Sequence, residues 1–260
     1  MEIKFFEKSN KKAIFLVSGI NPSFANTIRR SAIANVHKLA IEDVYITKND
    51  SPMYDEILAL RLGLIPLRTP DGYIPREECD CGEGCPKCSV RLTLKKKGPA
   101  TVYSGDLVSD DIEVYPVDEN IPLTKLTNDQ EIELEAIAVL GIGKEHAKWQ
   151  PTTACGYKYK PIITIDEDKC ENCGLCAEKC IRNVLELDGT IKIKNIIECN
   201  MCKNCMEACD VDAIKVSSDD SSFIFNIETD GSLTVEEVIE KASLVMEKKL
   251  DDFIKSLDEL

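Results

Sequence analysis

The sequence predicts an α+β fold made of nested parts, and three observations carry that prediction. Helical periodicity lies toward the two ends of the chain, strand-like patterns fill the middle, and all but one of the 13 cysteines fall into three groups of four. With 260 residues, 43% of them hydrophobic, the chain can bury a sizeable core. The formal net charge of −14 argues against a broad nucleic-acid-binding face, because nonspecific affinity comes from Lys and Arg neutralising phosphates. No apolar run approaches a membrane span, and "AIFLV" is too short for the apolar part of a secretory leader, so a cytoplasmic location is expected.

The N-terminal part begins with a strand, "KAIFLVSGI". "NPSFANTIRRSAIANV" then reads as a helix, with Asn21 as N-cap and Pro22 at the first helical position. Phe24, Ile28, Ala32 and Val36 form its apolar stripe, His37 is placed at its end, and Arg29 and Arg30 project from another face. On their own the two arginines read as a solvated helix face. The middle of the chain contains strand patterns in "RLTL", "IEVY" and "EIELEAIAVLGIG", with Pro and Gly between them. Its one basic run, Lys95 to Lys97, reads as a solvated turn.

"SLTVEEVIEKASLVMEKKLDDFIKSLDEL" is a long amphipathic helix. Ser232 or Thr234 caps it, and Glu237 stands three residues after Thr234, the spacing of a capping box. Val235, Ile239, Ala242, Met246, Leu250, Phe253 and Leu257 recur at steps of three or four. Such a stripe docks on its own core or on a partner, and periodicity does not choose between them.

The cysteines carry the strongest signal. "CENCGLCAEKC" and "CNMCKNCMEAC" share the form C-x2-C-x2-C-x3-C, and Cys170, Cys173, Cys176 and Cys180 each recur 29 residues on, at Cys199, Cys202, Cys205 and Cys209. Leu185 and Leu187 likewise match Ile214 and Val216, so the segment is an internal duplication. Each half reads as strand, cysteine loop, short helix, strand, with "IITI" and "TIKI" leading in. This spacing resembles that of bacterial two-cluster ferredoxins, in which the fourth cysteine of each run ligates the other cluster. By that rule one [4Fe-4S] cluster takes Cys170, Cys173, Cys176 and Cys209, and the other takes Cys199, Cys202, Cys205 and Cys180. Zinc, or metal-free loops, are the alternative. Ferredoxins place proline after the fourth cysteine; here Ile181 and Asp210 stand there, which puts loop rigidity in question.

Cys79, Cys81, Cys85 and Cys88 form C-x-C-x3-C-x2-C, with Gly82, Gly84 and Pro86 to turn the chain. Four thiolates this close suit a closed, structural zinc site; an empty or redox-active loop is the alternative. Cys155 has no such spacing and reads as an ordinary buried thiol.

From Ala25 to Leu67 the chain reads "ANTIRRSAIANVHKLAIEDVYITKNDSPMYDEILALRLGLIPL". The N-x-[IL]-R-R helix followed by DE-x-[IL]-A-x-R-[IL]-G-x-[IL]-P-L resembles the alpha-type subunits of multisubunit RNA polymerases, most of all their archaeal D-type members. The resemblance covers nearly the whole chain, including the ferredoxin-like insertion. It implies an alpha-subunit-like dimerisation domain, residues 1–46 and 222–260. It also implies a β-rich insert domain, residues 47–165 and 216–221, with a nested ferredoxin-like domain at 166–215. It implies a non-catalytic assembly platform within a nucleotidyltransferase that transcribes DNA. The partners implied are the small subunit L, the large catalytic subunits, and the small subunits N and P. Arg29, Arg30 and the 55–67 segment are then candidates for contact with the second-largest subunit. Ile239, Ala242, Met246 and Phe253 are candidates for contact with L. Zinc loops occur in eukaryotic relatives, which favours zinc at 79–88.

No catalytic constellation is legible. His37 and His146 have no paired nucleophile, and "GIGKEH" lacks the spacing of a phosphate loop. The rival reading, an electron-transfer iron–sulfur subunit, accounts for the duplicated segment and leaves both terminal helices without a role.

Overall fold

Strict alternation builds one of the two four-stranded sheets. The computed structural model describes residues 1–82 and 84–258. Strand β4 (Ser89–Lys97) turns Val90, Leu92 and Leu94 inward, and β8 (Glu131–Ile142) turns in Ile132, Leu134, Ala136 and Ala138. They pair antiparallel with each other, and β8 also pairs with β3 (His37–Asn49). The short β6 (Val108–Ser109) completes the order β3-β8-β4-β6. Helix α2 (Asp55–Gly63) adds Leu58 and Leu62, one turn apart, to the same core. Asp55 and Glu56 in its first turn complement the helix dipole. A small hairpin-like pair, β5 (Ala100–Tyr103) with β7 (Pro122–Leu126), brings Val102, Leu123 and Leu126 to it.

The chain divides into two compact units. One comprises Ser9–Lys12, Ile28–Cys155 and Ile227–Leu260 and contains the sheet just described. Its last helix, α5 (Val235–Asp258), starts in the expected capping box: the Thr234 N–H donates to Glu237 at 2.6 Å and the Glu237 N–H to Thr234 Oγ1 at 3.2 Å. Arg68 clamps the same carboxylate through both guanidinium ends, at 3.0 and 2.6 Å. Val238 and Ala242 of α5 pack with Ala32 and Val36, and Ser31 donates to the Ala242 carbonyl at 3.0 Å.

The other unit comprises Met1–Lys8, Ala13–Thr27 and Gly156–Asn226. Most of a second four-stranded sheet lies here, in the order β1 (Glu2–Lys8), β2 (Lys12–Ser18), β12 (Ile214–Thr229), β9 (Thr152–Ile165). Phe15 stacks on Phe225 at 5.4 Å, and Tyr157 meets Phe223 edge-on at 5.5 Å. Beyond β9 come the two cysteine loops, each followed by one helical turn, α3 (Leu175–Glu178) and α4 (Asn204–Glu207). The hairpin β10 (Leu185–Asp188) and β11 (Thr190–Ile193) lies between them.

Several expectations change. Helix α1 spans Pro22–Ala34, with Asn21 Oδ1 accepting from the Phe24 N–H at 2.8 Å as its cap. His37 therefore lies outside it, as the first residue of β3. Phe24 is 39% exposed, whereas Ala25 and Ala32 are fully buried. The small side chain of Ala32 lies against Val238 and Ala242 of α5. "IEVY" is not a strand: the Asp111 carboxylate accepts from the Glu113 N–H at 2.9 Å and makes a turn instead. The Lys95–Lys97 run is the end of β4, not a turn. The register places Lys95 opposite Glu133 and Lys97 opposite Glu131, so opposite charges pair across strands. Strands β3 and β12 run unbroken through residues 46–47, 215–216 and 221–222. Among the described residues, no helix is long and apolar enough to cross a membrane.

Candidate metal centres

The 29-residue repeat of the sequence is also a repeat of backbone conformation. Left-handed residues occur in matched pairs: Asn172 with Met201, Gly174 with Lys203, and Asn183 with Asp212. Each cysteine loop therefore turns three times in the same way and enters its helical turn from a left-handed residue. After the fourth cysteine the chain is held by the same two bonds in both halves. The Asn183 N–H donates to the Cys180 carbonyl at 2.9 Å, and the Asp212 N–H to the Cys209 carbonyl at 3.1 Å. The Val184 N–H then donates to Cys180 Sγ at 3.3 Å, and the Ala213 N–H to Cys209 Sγ at 3.2 Å. These bonds fix the turn where ferredoxins use proline.

The loops enclose two cavities. Cys170, Cys173, Cys176 and Cys209 line the first, with Ile165 and Ile191 among its walls. Cys180, Cys199, Cys202 and Cys205 line the second, with Ile163 and Val216 among its walls. Three thiols of one loop thus line a cavity together with the fourth thiol of the other. Cys176 and Cys205 are buried, and desolvation raises the pKa of both thiols. Cys173 and Cys202 are exposed, so each cavity has one corner open to solvent. Four soft sulfur donors, apolar walls and N–H donors aimed at sulfur fit a [4Fe-4S] centre, whose bridging sulfides leave one thiolate position per iron.

The 79–88 loop forms a tighter nest. The four Sγ atoms all lie within 4.8 Å of one another, with Cys79–Cys81 at 3.2 Å, Cys81–Cys88 at 3.3 Å, Cys79–Cys85 at 3.7 Å and Cys85–Cys88 at 3.9 Å. A tetrahedral site with metal–sulfur bonds of about 2.3 Å requires sulfur–sulfur distances of roughly 3.8 Å, which these distances approach. Gly84, at φ +108°, makes the turn; a Cβ there would sit 3.1 Å from the Ser89 hydroxyl. Hydrogen bonds from the Lys87 backbone N–H, then from Cys81, lower the Cys85 thiol to about 7. Hydrogen bonds to Cys79 and then Cys88 push Cys81 up to about 12. A divalent cation bound there would take all four sulfurs as thiolates. Glu83, in the same loop, lies outside the described residues.

The remaining expected site residues are scattered. Arg29 is half-buried and Arg30 exposed on α1. Ile239 and Met246 are half-buried. Ala242, counted in the stripe expected to face a partner, is instead fully buried in this chain's own core. Phe253 is 63% exposed, and with Leu250, Ile254 and Leu257 it makes the outer half of α5 apolar and uncovered in this chain. Tyr54, Ile57, Leu60 and Leu64 are likewise exposed on and beside α2. Cys155 is half-buried, and burial pushes its thiol up to about 11. His37 has its pKa lowered by burial, and His146 Nδ1 accepts from the Lys148 N–H at 3.1 Å, so both are accounted for structurally. Sequence reasoning missed Lys158, whose ammonium donates to the Ile197 carbonyl and, at 2.9 Å, to the Cys199 carbonyl. A contact across some forty residues leaves no periodic signal.

A family model for the RNA polymerase Rpb3/RpoA insert domain matches residues 44–167, and one for a 4Fe-4S binding domain matches residues 163–186. Relatives are similar end to end. The DNA-directed RNA polymerase subunit Rpo3 of Methanothermobacter thermautotrophicus is 49% identical over 98% of this chain and 98% of its own length. The proteins of that name from Methanosphaera stadtmanae and Methanosarcina acetivorans are 46% and 44% identical, over 100% of this chain and 99% of theirs.

Proposed function

This chain belongs to the family of archaeal DNA-directed RNA polymerase subunit Rpo3, and from that premise we propose that it is the polymerase's D-type assembly platform. It pairs with subunit L, then recruits the large catalytic subunits and the small subunits N and P, and contributes no catalytic residue of its own. One observation carries this reading. The inner half of α5 is consumed by the chain's own core at Val238 and Ala242, while the apolar stripe continues outward through Leu250, Phe253 and Leu257 with nothing covering it. A helix apolar beyond its own docking site suits a helix-packing partner. The dimerisation domain is residues 1–46 and 222–260, and the insert domain is 47–165 with 216–221. The 55–67 segment and Arg29 and Arg30 face the second-largest subunit.

Within residues 166–215, Cys170, Cys173, Cys176 and Cys209 hold one [4Fe-4S] cluster, and Cys199, Cys202, Cys205 and Cys180 hold the other. Each cluster ties four thiolates covalently and can take up one electron. Cys79, Cys81, Cys85 and Cys88 hold a structural zinc ion. The clusters serve folding and regulation, linking assembly to oxygen and iron supply. The electron-transfer alternative is disfavoured because the relatives match the whole chain and not the duplicated segment alone.

The test is co-expression with subunit L. Leu250→Asp combined with Phe253→Asp is expected to abolish the heterodimer while leaving circular dichroism and iron content unchanged. Heterodimer formation by that variant would refute the assignment of α5. Replacing Cys170 and Cys173 with Ser is expected to reduce recruitment of the large subunits; unchanged assembly with and without oxygen would refute the regulatory role.

A further inference from the structure

We propose that the two cysteine cavities are electrostatically unequal by construction, and that the second, around Cys180, Cys199, Cys202 and Cys205, holds the electron when the protein is singly reduced. The inference rests on the reading that both cavities hold [4Fe-4S] clusters. In the 29-residue register the cysteines match, and three other lining positions differ in charge. Asn200 replaces Glu171, Lys203 replaces Gly174, and Arg182 stands where the first cavity has Val211. The lining of the first cavity therefore carries one formal negative charge and that of the second two positive charges.

The lysine is informative because of its backbone. Lys203 sits at φ +66°, in the conformation its partner Gly174 adopts at +82°. Glycine enters that region freely and lysine does not, so the loop holds this charged residue in a conformation it rarely adopts. Among the described residues, neither Arg182 nor Lys203 has an acidic side chain within ion-pair distance. Lys158 lies on the same side, its ammonium donating to the Cys199 carbonyl at 2.9 Å, with the Glu198 carboxylate near enough to offset part of its charge.

Reduction adds one electron to a cluster and makes or breaks no bond in the protein. Cationic neighbours stabilise that added charge and an anionic one opposes it, and cluster potentials respond to local charge. Arg182, Lys203 and Glu171 are all exposed, so added salt weakens the bias.

The full chain is purified without oxygen, assayed for iron and sulfide, and titrated with dithionite as one-electron reductant under electron paramagnetic resonance at low ionic strength. Two waves are expected, and the more positive disappears in Cys202→Ser protein. Arg182→Gln with Lys203→Gln lowers that wave by at least a tenfold change in electron occupancy, about 59 mV for one electron, and leaves the other in place. Glu171→Asn with Val211→Arg raises the other wave, which decides the matter if the first double variant loses iron. High salt narrows the separation. A single wave at low salt, or a more positive wave that survives Cys202→Ser, overturns the inference. Iron and sulfide short of two clusters in the unmodified chain overturns instead the reading on which it rests.

Discussion

The β3–β8–β4 sheet and the 170–209 segment are held together by different means. The sheet and α2 share one continuous apolar core, in which Leu39, Leu58, Leu92 and Leu134 are fully or almost fully buried. The buried cluster of the cysteine segment is small: among the described residues, six aliphatic side chains and three cysteines. Its strands β10 and β11 have four residues each, and α3 and α4 are single turns. Ordering a residue costs about 1–2 kcal/mol of backbone entropy, and so little apolar area does not offset that over some fifty residues. A segment with this composition holds its shape through ligands that cross-link it, whereas the sheet holds its shape by burying surface.

That contrast can be broken most decisively by removing iron. Stripping iron and sulfide with a chelator and an oxidant is expected to abolish amide-exchange protection throughout residues 166–215, while β3, β4 and β8 stay protected. Persistent protection in 166–215, read by hydrogen exchange and mass spectrometry, would show that the segment is self-supporting. Next in size, Leu134→Ala is expected to cost about 2–5 kcal/mol in denaturant unfolding, with iron content unchanged. Loss of iron on that substitution would mean that the two regions are not separable.

Two smaller effects sharpen the comparison on the polar side of α5. Burial alone would raise Glu237; the Arg68 guanidinium and the Thr234 N–H outweigh it and hold the carboxyl at about 2 against an ordinary 4.5. A depressed carboxyl pKa contributes stability that is complete above the unfolded value and lost as pH falls toward the folded one. The pair is 28% and 27% exposed, so solvent screening limits its contribution. Arg68→Met is expected to cost about 1–2 kcal/mol at neutral pH, and the difference from the parent protein should close between about pH 4.5 and 2. A gap constant across that range would remove Glu237 from the account. Smallest is Thr234→Ala, with about 1 kcal/mol lost from the helix start, measured by thermal unfolding with no change in iron.

Much of the cysteine region was legible in the sequence because the signal there is covalent spacing. A C-x2-C-x2-C-x3-C run repeated 29 residues on keeps three thiols of each run within reach of a common point, while the crossed places of Cys180 and Cys209 were suggested by the likeness to ferredoxins. The capping box at Thr234 and the N-cap at Asn21 were legible for the same reason, being bonds between near neighbours. The strand containing Lys95–Lys97 was not legible. Three lysines look solvated in one dimension, and only the opposing register of β8 supplies Glu131 and Glu133. Phe24 was misjudged because periodicity gives a stripe, and packing density then decides which side of it is buried.

The sequence by itself determined the α+β class, the three cysteine groups, the internal duplication and the extent of the amphipathic C-terminal helix, all properties of local spacing. The tertiary structure alone decided which half of α5 its own core uses, since Ala242 is buried only because Ala32 and Val36 lie opposite it. It also decided the Arg68–Glu237 clamp and the seat of Lys158 against Cys199, contacts between residues far apart in the chain. The physical reason is the same in each case. Spacing constrains what neighbouring residues can reach, while burial and charge pairing depend on which distant residues the fold brings to the same place.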